Sequence, residues 1–197
     1  ATHTAVATAN AIILSGARPV FVDIEENYFT IDAQKIERSI TARTKAIIPV
    51  HLYGQPAEMN QIINLAKKYK LSIIEDCSQS HGSKYNNITT GNIGNLGCFS
   101  FYPTKNLGGY GDGGAIVTNN KNLRNKLILL REYGWKKKFI SKSFGINSRL
   151  DEIHAAVLRI KLKKLNLLNK KRINIAKMYF NELNSSKIIL PKIRKNY

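Results

Sequence analysis

The chain has 197 residues, of which 43% are apolar and 22% are charged, a composition ordinary for one globular domain. It contains no apolar run of about 18 residues and no signal-like stretch, so a membrane-spanning segment is not predicted and we expect a cytoplasmic protein. Its two cysteines, Cys77 and Cys98, lack CxxC spacing, so neither a disulfide framework nor a zinc site is expected.

The formal net charge of +18 is concentrated toward the carboxyl end of the chain. More than half of the Lys and Arg residues follow residue 135, where Asp151, Glu152 and Glu182 are the only acids. These basic residues alternate with apolar ones at helical spacing, which favours a solvated helix face over a nucleic-acid site. A third interpretation is that this positive charge attracts a phosphorylated substrate.

Helices and strands are predicted to alternate along the chain. In order, the predictions are a helix over 6–15 ended by Gly16, a strand over 19–23, a helix over 33–40 capped by Asp32, a strand over 45–51, a helix over 59–69, strands over 72–74, 98–101 and 115–118, a helix over 121–133, a loop over 134–145 and a long helix from Asp151 past Leu168. This order predicts an α/β fold with a mostly parallel sheet.

Two residues with complementary chemistry follow two of the buried strands. Asp76 comes directly after one apolar run, and Lys105 follows another in an apolar, glycine-rich setting. In an open α/β sheet, ligands bind at the carboxyl ends of the strands. A lysine there can form a Schiff base with an aldehyde, and a nearby acid can keep a pyridine nitrogen protonated. The pair therefore predicts pyridoxal phosphate as cofactor.

Two other patterns are weaker. Residues 109–114 satisfy G-x-G-x-x-G, but a strand rather than a helix is predicted after them, so we reject a dinucleotide site. The four histidines are scattered along the sequence without metal-ligand spacing, and we assign no metal.

A series of motifs carries a family resemblance along nearly the whole chain. They are HTAVATANAI, GARPVFVDI, IIPVHLYGQPAEM, IIEDCSQSHG, GCFSFYPTKNLGGYGDGGAIVTN, LREYGW and GINSRLDEIHAA. In this order they resemble the DegT/DnrJ/EryC1/StrS family of pyridoxal-phosphate-dependent sugar aminotransferases. The resemblance implies an α/β/α sandwich, the large domain of a fold type I aminotransferase.

The resemblance implies a role for each residue that matches a family motif. Lys105 matches the lysine that bonds to the cofactor, and Asp76 the acid paired with its ring nitrogen. Gln79 matches a residue at the ring hydroxyl, and Ser100 a phosphate ligand. The alternatives are a surface lysine, a helix-capping acid, and a hydroxyl that satisfies local backbone.

Five further positions concern the rim of the site. Asn147 matches an asparagine that reaches the cofactor phosphate of a neighbouring subunit, which implies a homodimer with shared sites; its alternative role is a helix cap. His51 and Tyr53 are expected to line the substrate pocket, with packing as the alternative for Tyr53. Ala5 stands where the family commonly has an aromatic ring that stacks on the cofactor, and His3 is the candidate replacement.

By resemblance, the chain is expected to be truncated at both ends. We expect residues 1–170 to form the cofactor-binding large domain without its amino-terminal phosphate-binding segment. Residues 171–197 would begin the small carboxyl-terminal domain.

The implied reaction is transamination of a nucleotide-linked keto sugar, with L-glutamate as amino donor, in amino-sugar biosynthesis. The wording of the motifs is most similar to members acting on C3 of dTDP-linked 3-keto-6-deoxyhexoses. A dehydrase branch of the family has histidine in place of the lysine, and Lys105 argues against it. The remaining alternative is an inactive fragment or a basic binding protein without catalysis.

Overall fold

The computed structural model describes residues 1–183 and 187–194. Its helices are α1 (Val6–Leu14), α2 (Ala33–Ile36), α3 (Met59–Tyr69), α4 (Lys121–Arg131), α5 (Glu152–Leu162) and α6 (Leu165–Glu182). Its strands are β1 (Ala46–Ile47), β2 (Ser72–Asp76), β3 (Lys84–Tyr85), β4 (Ile88–Thr89), β5 (Leu96–Ser100), β6 (Gly114–Val117), β7 (Trp135–Lys137) and β8 (Ile140–Ser141). Single 3₁₀ turns lie at Glu37–Ser39 and Leu52–Gly54.

The main sheet has the strand order β1-β2-β5-β6. β1, β2 and β5 are parallel, and β6 runs antiparallel to β5. In this register Asp76 lies opposite Cys98. The carboxyl ends of β2 and β5 therefore meet at one edge, where polar side chains from both strands can face one ligand.

Helix α3 covers the sheet in the way its sequence pattern predicts. It buries Met59, Ile62 and Ala66, which belong to the same core cluster as Ile47 and Ile73 of β1 and β2. Each large apolar side chain removed from water in this way contributes about 1.5–3 kcal/mol. The packing of α3 therefore holds β1 and β2 in place beneath the candidate site.

Two helices begin at a capping side chain, and the first of these caps, Asp32, was predicted from the sequence. The Asp32 side chain accepts the backbone N–H of Gln34 at 2.9 Å at the start of α2. Asn120 accepts the N–H groups of Asn122 and Leu123 at the start of α4. Both caps satisfy amides that have no partner within the helix.

The strand predicted over 19–23 is wrong, because this stretch pairs with no strand among the described residues. Its backbone accepts the N–H of Thr2 at Val22 and the N–H of Asp32 at Asp23, and a bridge between Ile24 and Ile31 lies just beyond it. The strand predicted over 45–51 is shorter than expected, since regular pairing covers Ala46–Ile47 and resumes only as a bridge between Val50 and Asp76. Pro49, which lies between them, has no N–H for a ladder bond.

The carboxyl-terminal third also differs from prediction. The loop expected over 134–145 contains the β7-β8 hairpin. The long helix expected from Asp151 is two helices, interrupted at Lys163 and Lys164. This break allows Leu158 of α5 and Leu165 of α6 to pack against one residue, Leu107.

The expected domain boundary at residue 170 falls inside α6, and it stays a prediction. Residues 184–186 and 195–197 of the expected small-domain segment lie outside the described residues. Over the ranges the structure describes, no helix combines the length and apolar character needed to cross a membrane.

Candidate active site

Asp76 ends β2 at the carboxyl edge of the sheet. Its backbone N–H donates to Pro49 at 2.9 Å, and its carbonyl accepts from the N–H of His51 at 3.1 Å. Its carboxylate accepts the Thr8 hydroxyl at 2.6 Å and the Ser78 N–H at 3.1 Å. Charged acceptors of this kind make strong hydrogen bonds, so α1 and the β2 loop together orient the acid.

Ser100 ends the neighbouring strand β5, and Lys105 follows in the next turn. The Ser100 hydroxyl oxygen accepts the N–H of Tyr102 at 3.2 Å, which leaves its hydrogen available for donation. The backbone N–H of Lys105 donates to Tyr102 at 2.9 Å, and the lysine is half-buried. Because β2 and β5 are adjacent and parallel, Asp76 and Ser100 share one edge of the sheet. The Lys105 turn begins at that edge.

The loop after Lys105 is folded tightly against this edge. The N–H of Gly109 donates to the carbonyl of Phe101 at 2.7 Å. A side chain at buried Gly108 would collide with the carbonyl oxygens of Tyr102 and Pro103. The glycine-rich sequence thus serves a close approach of two backbone segments, and no helix follows it, as predicted.

Gln79 is held by the turn that contains Tyr53. Its side-chain oxygen accepts the backbone N–H of Tyr53 at 2.9 Å. The Tyr53 hydroxyl shares a hydrogen bond of 2.8 Å with the His3 ring, which also lies edge-on to Phe29. Tyr53 is 63% exposed, so it is not a packed core residue. His3, Tyr53 and Gln79 therefore form one connected group beside the Asp76 loop.

His51 is placed differently from the sequence prediction. It is fully buried, its Nδ1 accepts the N–H of Ala57 at 3.1 Å, and its Nε2 therefore carries the hydrogen that is donated to Glu75 at 2.9 Å. A ring with both nitrogens engaged and no exposed surface does not line a substrate pocket. His51 is instead part of the core below the site.

Glu75 is the centre of that buried polar group. Its carboxylate also accepts three backbone N–H groups, those of Gly91, Ile93 and Gly94. Burial by itself would raise the pKa of Glu75, but hydrogen bonds from His51 and the backbone outweigh it and hold the pKa below its usual value. The charged carboxylate anchors the loop over 91–94 to β2.

His51, Glu75 and Cys77 have donor atoms within 4.8 Å of one another, a grouping that the sequence spacing did not suggest. Both ring nitrogens of His51 are engaged, and Glu75 holds four donors. Burial, followed by the charge of Glu75, raises the pKa of the Cys77 thiol far above its usual value, whereas a metal needs the thiolate. The grouping is therefore a structural core network.

His81 was missed by the sequence analysis. It is 3% exposed and packs against the rings of Phe99 and Phe101, with centroids 5.3 and 6.1 Å away. Neither ring nitrogen has a hydrogen-bond partner within the described part of the chain. Burial, and then the charge of Lys105, lowers the pKa of His81, although the nearby Ser100 backbone partly offsets this. The sequence could have suggested that His81 lies near the site, because it follows Gln79 by two residues in the SQSHG motif.

Asn147 is exposed and lies in the stretch between β8 and α5. Its backbone bridges to Glu132, and its side-chain oxygen accepts the Nε–H of Arg149 at 3.0 Å. Asp151 occupies the N-cap position of α5, so the helix-cap alternative for Asn147 is wrong. Its role toward a neighbouring subunit stays a prediction.

A hollow of about 720 Å³ lies near the carboxyl end of the described chain. It is lined by Tyr28, Phe180, Leu190, Pro191, Lys192 and Ile193. None of these residues belongs to the group around Asp76 and Lys105, and the lining holds no acid to pair with an amine. The hollow is therefore distinct from the candidate active site.

Comparison with known proteins agrees with this geometry. The model of the DegT/DnrJ/EryC1/StrS aminotransferase family matches residues 1–196. The chain is 44% identical over 196 residues to the UDP-N-acetyl-3-dehydro-alpha-D-glucosamine 3-aminotransferase of Acidithiobacillus ferrooxidans, covering 100% of this chain and 53% of that protein. It is 48% identical over 191 residues to the dTDP-3-amino-3,6-dideoxy-alpha-D-galactopyranose transaminase of Aneurinibacillus thermoaerophilus, covering 97% and 53%. The chain thus spans about half the length of these relatives.

Solved structures show the same fold. The structure of ntda from Bacillus subtilis, described with bound cofactor PMP, superposes with a TM-score of 0.90 at 37% identity, covering 98% of this chain and 45% of that one. The expected fold class is confirmed, namely the mostly parallel α/β large domain of a fold type I aminotransferase. Fold, site chemistry and the match over residues 1–196 agree, and this chain belongs to the DegT/DnrJ/EryC1/StrS aminotransferase family, whose cofactor is pyridoxal phosphate.

Proposed function

We propose that this protein transfers an amino group from L-glutamate to a keto sugar carried on a nucleoside diphosphate, in amino-sugar biosynthesis. The observation that carries the proposal is the lysine turn at the carboxyl edge of the sheet, beside the strand that ends in Asp76. We further propose a cytoplasmic homodimer in which Asn147 completes the partner's site. Its exposure is compatible with that role.

The residues present fit pyridoxal phosphate. Lys105 supplies the amine that would hold its aldehyde carbon, and Asp76 supplies a carboxylate for its ring nitrogen. The hydroxyl hydrogen of Ser100 is available for its phosphate, and the Gln79 amide for its ring hydroxyl. When bound, the cofactor supplies an electron sink that stabilises negative charge on the substrate carbon.

Asp76 and Lys105 have different roles in the proposed reaction. The Asp76 carboxylate, oriented by Thr8 and Ser78, would hold a proton on the cofactor's ring nitrogen. The Nζ of Lys105 would be the base that moves a proton to and from the substrate carbon. The close packing at Gly108 holds the backbone of the Lys105 loop against the turn that precedes it.

For the sugar, we propose amination at C3. The names of both curated relatives above specify a 3-amino or 3-dehydro sugar, one carried on UDP and the other on dTDP. We favour a dTDP-linked 3-keto-6-deoxyhexose as the substrate. The competing proposal is a basic protein or inactive fragment without catalysis, supported by the net charge of +18.

The test is covalent capture followed by turnover. The protein is mixed with pyridoxal phosphate, reduced with borohydride and digested, and we expect the cofactor mass on Lys105. Amino transfer from glutamate to dTDP- and UDP-linked 3-keto sugars is then measured for the protein, for Lys105→Ala and for the control Lys84→Ala, which replaces an exposed lysine. Lys105→Ala activity within about tenfold of the unchanged protein, about 1.4 kcal/mol in barrier, would refute the assigned role.

A further inference from the structure

One asparagine on α6 joins the two loops that carry the candidate site residues. The Nδ2 of Asn169 donates to the backbone carbonyl of His81 at 2.8 Å. Its Oδ1 accepts the side-chain N–H of Asn106 at 2.9 Å. Asn106 directly follows Lys105, and His81 lies two residues after Gln79. A single side chain thus bridges the loop after β2 to the loop after β5.

The chemistry of the contacts fixes the orientation of this amide. Only a hydrogen-bearing nitrogen can face the His81 carbonyl, so the oxygen of Asn169 must face Asn106. Both ends of the amide are therefore engaged, and both contacts are partly shielded from water. A residue with one polar end, or with none, cannot make the same bridge.

The surroundings of Asn169 reinforce the bridge. Gly82 has φ +85°, and a side chain there would press on the Asn169 amide at 3.3 Å. Leu107 is buried against Leu158 and Leu165, and Lys161 donates to the carbonyl of Gly108. Helices α5 and α6 therefore hold the Lys105 loop at several points. Leu165 also lies beside Gly82 of the Gln79 loop, whereas Asn169 makes hydrogen bonds to both loops.

We propose that Asn169 is a positioning residue that fixes the Lys105 loop relative to the loop carrying Asp76, Gln79 and His81. The loop after Lys105 contains Gly108 and Gly109, whose backbones gain the most conformational freedom when a tether is lost. The effect of this bridge on cofactor capture at Lys105 rests on the proposed function. The coupling of the two loops by Asn169 is independent of that function.

The test uses hydrogen exchange of the cofactor-free protein, with three variants. Asn169→Leu removes both hydrogen bonds at similar size, and Asn169→Asp keeps the acceptor for Asn106 while placing a carboxylate oxygen against the His81 carbonyl. Asn174→Leu is the matched control, because Asn174 is an exposed asparagine on the same helix. The reporters are three hydrogen-bonded amides, those of Ser83, Lys105 and Gly109.

We expect Asn169→Leu to speed exchange of these amides by roughly tenfold in both loops, while amides of β2 and β5 keep their rates. Asn169→Asp should speed the Ser83 amide more than the Lys105 amide, and Asn174→Leu should change neither loop. Unchanged exchange in both loops overturns the proposal. A uniform rise that includes β2 and β5 also overturns it, because the residue would then serve global stability.

Cofactor capture separates this inference from the proposed function. If the proposed function holds, Asn169→Leu lowers the yield of borohydride-fixed cofactor on Lys105, and Asn174→Leu leaves it unchanged. If the unchanged protein fixes no cofactor on Lys105 although both loops loosen in Asn169→Leu, the function fails and the bridge stands. If the unchanged protein does fix the cofactor, equal fixation by Asn169→Leu overturns the positioning role.

Discussion

The carboxylate of Asp76 is oriented by two donors from different parts of the chain, the Thr8 hydroxyl and the Ser78 N–H. Replacement by Asn keeps the size of the side chain but removes the negative charge that favours a protonated ring nitrogen. We expect Asp76→Asn to retain cofactor binding and to slow the half-reaction with glutamate by roughly 100-fold or more. Rapid-mixing absorbance measurements follow that half-reaction.

Two controls sharpen the Asp76 test. Thr8→Val removes one hydrogen bond to the acid but leaves its charge, so its effect should be much smaller. Asp112→Asn neutralises an acid in the loop after Lys105, and we expect no change. A half-reaction of unaltered rate in Asp76→Asn would show that the carboxylate does not act on the cofactor.

The buried ring of His81 gives a pH dependence to stability. Burial, and then the charge of Lys105, holds the pKa of His81 below its ordinary value, so the folded protein resists a proton that the unfolded chain accepts. The folded protein keeps its full stability above about pH 6.5, the pKa of a histidine in the unfolded chain. It loses stability as the pH falls below that value, because only the unfolded chain then gains the proton. We expect the urea concentration at the unfolding midpoint to fall as the pH is lowered from 7.5 to 5.5. Carboxyl groups with ordinary pKa values titrate below this pH range.

The control for this test is a histidine that is only half-buried. His81→Asn should flatten the pH dependence of the unfolding midpoint, whereas His154→Asn should retain it. An equal slope in His81→Asn and the unchanged protein would mean that another group titrates in this window. The mean stability of His81→Asn is irrelevant to the test, because only the slope is compared.

At the scale of elements, the loop between β5 and β6 depends on two adjacent glycines in different ways. A Cβ at Gly108 would collide with the carbonyl oxygens of Tyr102 and Pro103, whereas at Gly109 the nearest atom, the Phe101 carbonyl oxygen, would be 3.6 Å away. We expect Gly108→Ala to destabilise the protein by about 1–3 kcal/mol, as overpacking does. Gly109→Ala should be tolerated. Chemical denaturation measures both.

The same pair of variants reports on the site. Because Gly108 lies three residues after Lys105, its displacement should also reduce borohydride-fixed cofactor on that lysine. Gly109→Ala should fix the cofactor as the unchanged protein does. Equal stability of the two variants would mean that the backbone approach at Gly108 does not constrain the loop.

At the scale of the whole molecule, many large apolar side chains are exposed. Phe144 is 99% exposed, Leu14 87% and Ile153 78%. Exposed apolar area of this extent favours association, because contact between two copies removes it from water. We expect the 197-residue chain to self-associate at micromolar concentration, as measured by sedimentation velocity over a concentration series.

Serine substitutions distinguish association through particular apolar side chains from nonspecific aggregation. Phe144→Ser and Ile153→Ser together should shift the distribution toward monomer without changing the circular dichroism spectrum. Serine substitution of Tyr102, an exposed aromatic residue of the Lys105 turn, should not. A chain that stays monomeric at high micromolar concentration would contradict the expectation.

Features that depend on near neighbours along the chain were predictable from the amino-acid sequence. The spacing of Met59, Ile62 and Ala66 predicted α3, and Asp32 was predicted as a cap, because periodicity and capping act within one or two turns. The order of strands and helices predicted the parallel sheet. It follows that Asp76 and Ser100 had to share an edge of that sheet, since parallel strands align their carboxyl ends.

Contacts between residues far apart in the sequence are visible only in the folded structure. His51 and Glu75 are 24 residues apart, Thr8 and Asp76 are 68 apart, and Asn169 and His81 are 88 apart. Burial of His51 and the bridge by Asn169 therefore could not be read from local pattern. The division of residues 152–182 into two helices has the same origin, because packing on Leu107, rather than a helix-breaking residue, accompanies the interruption.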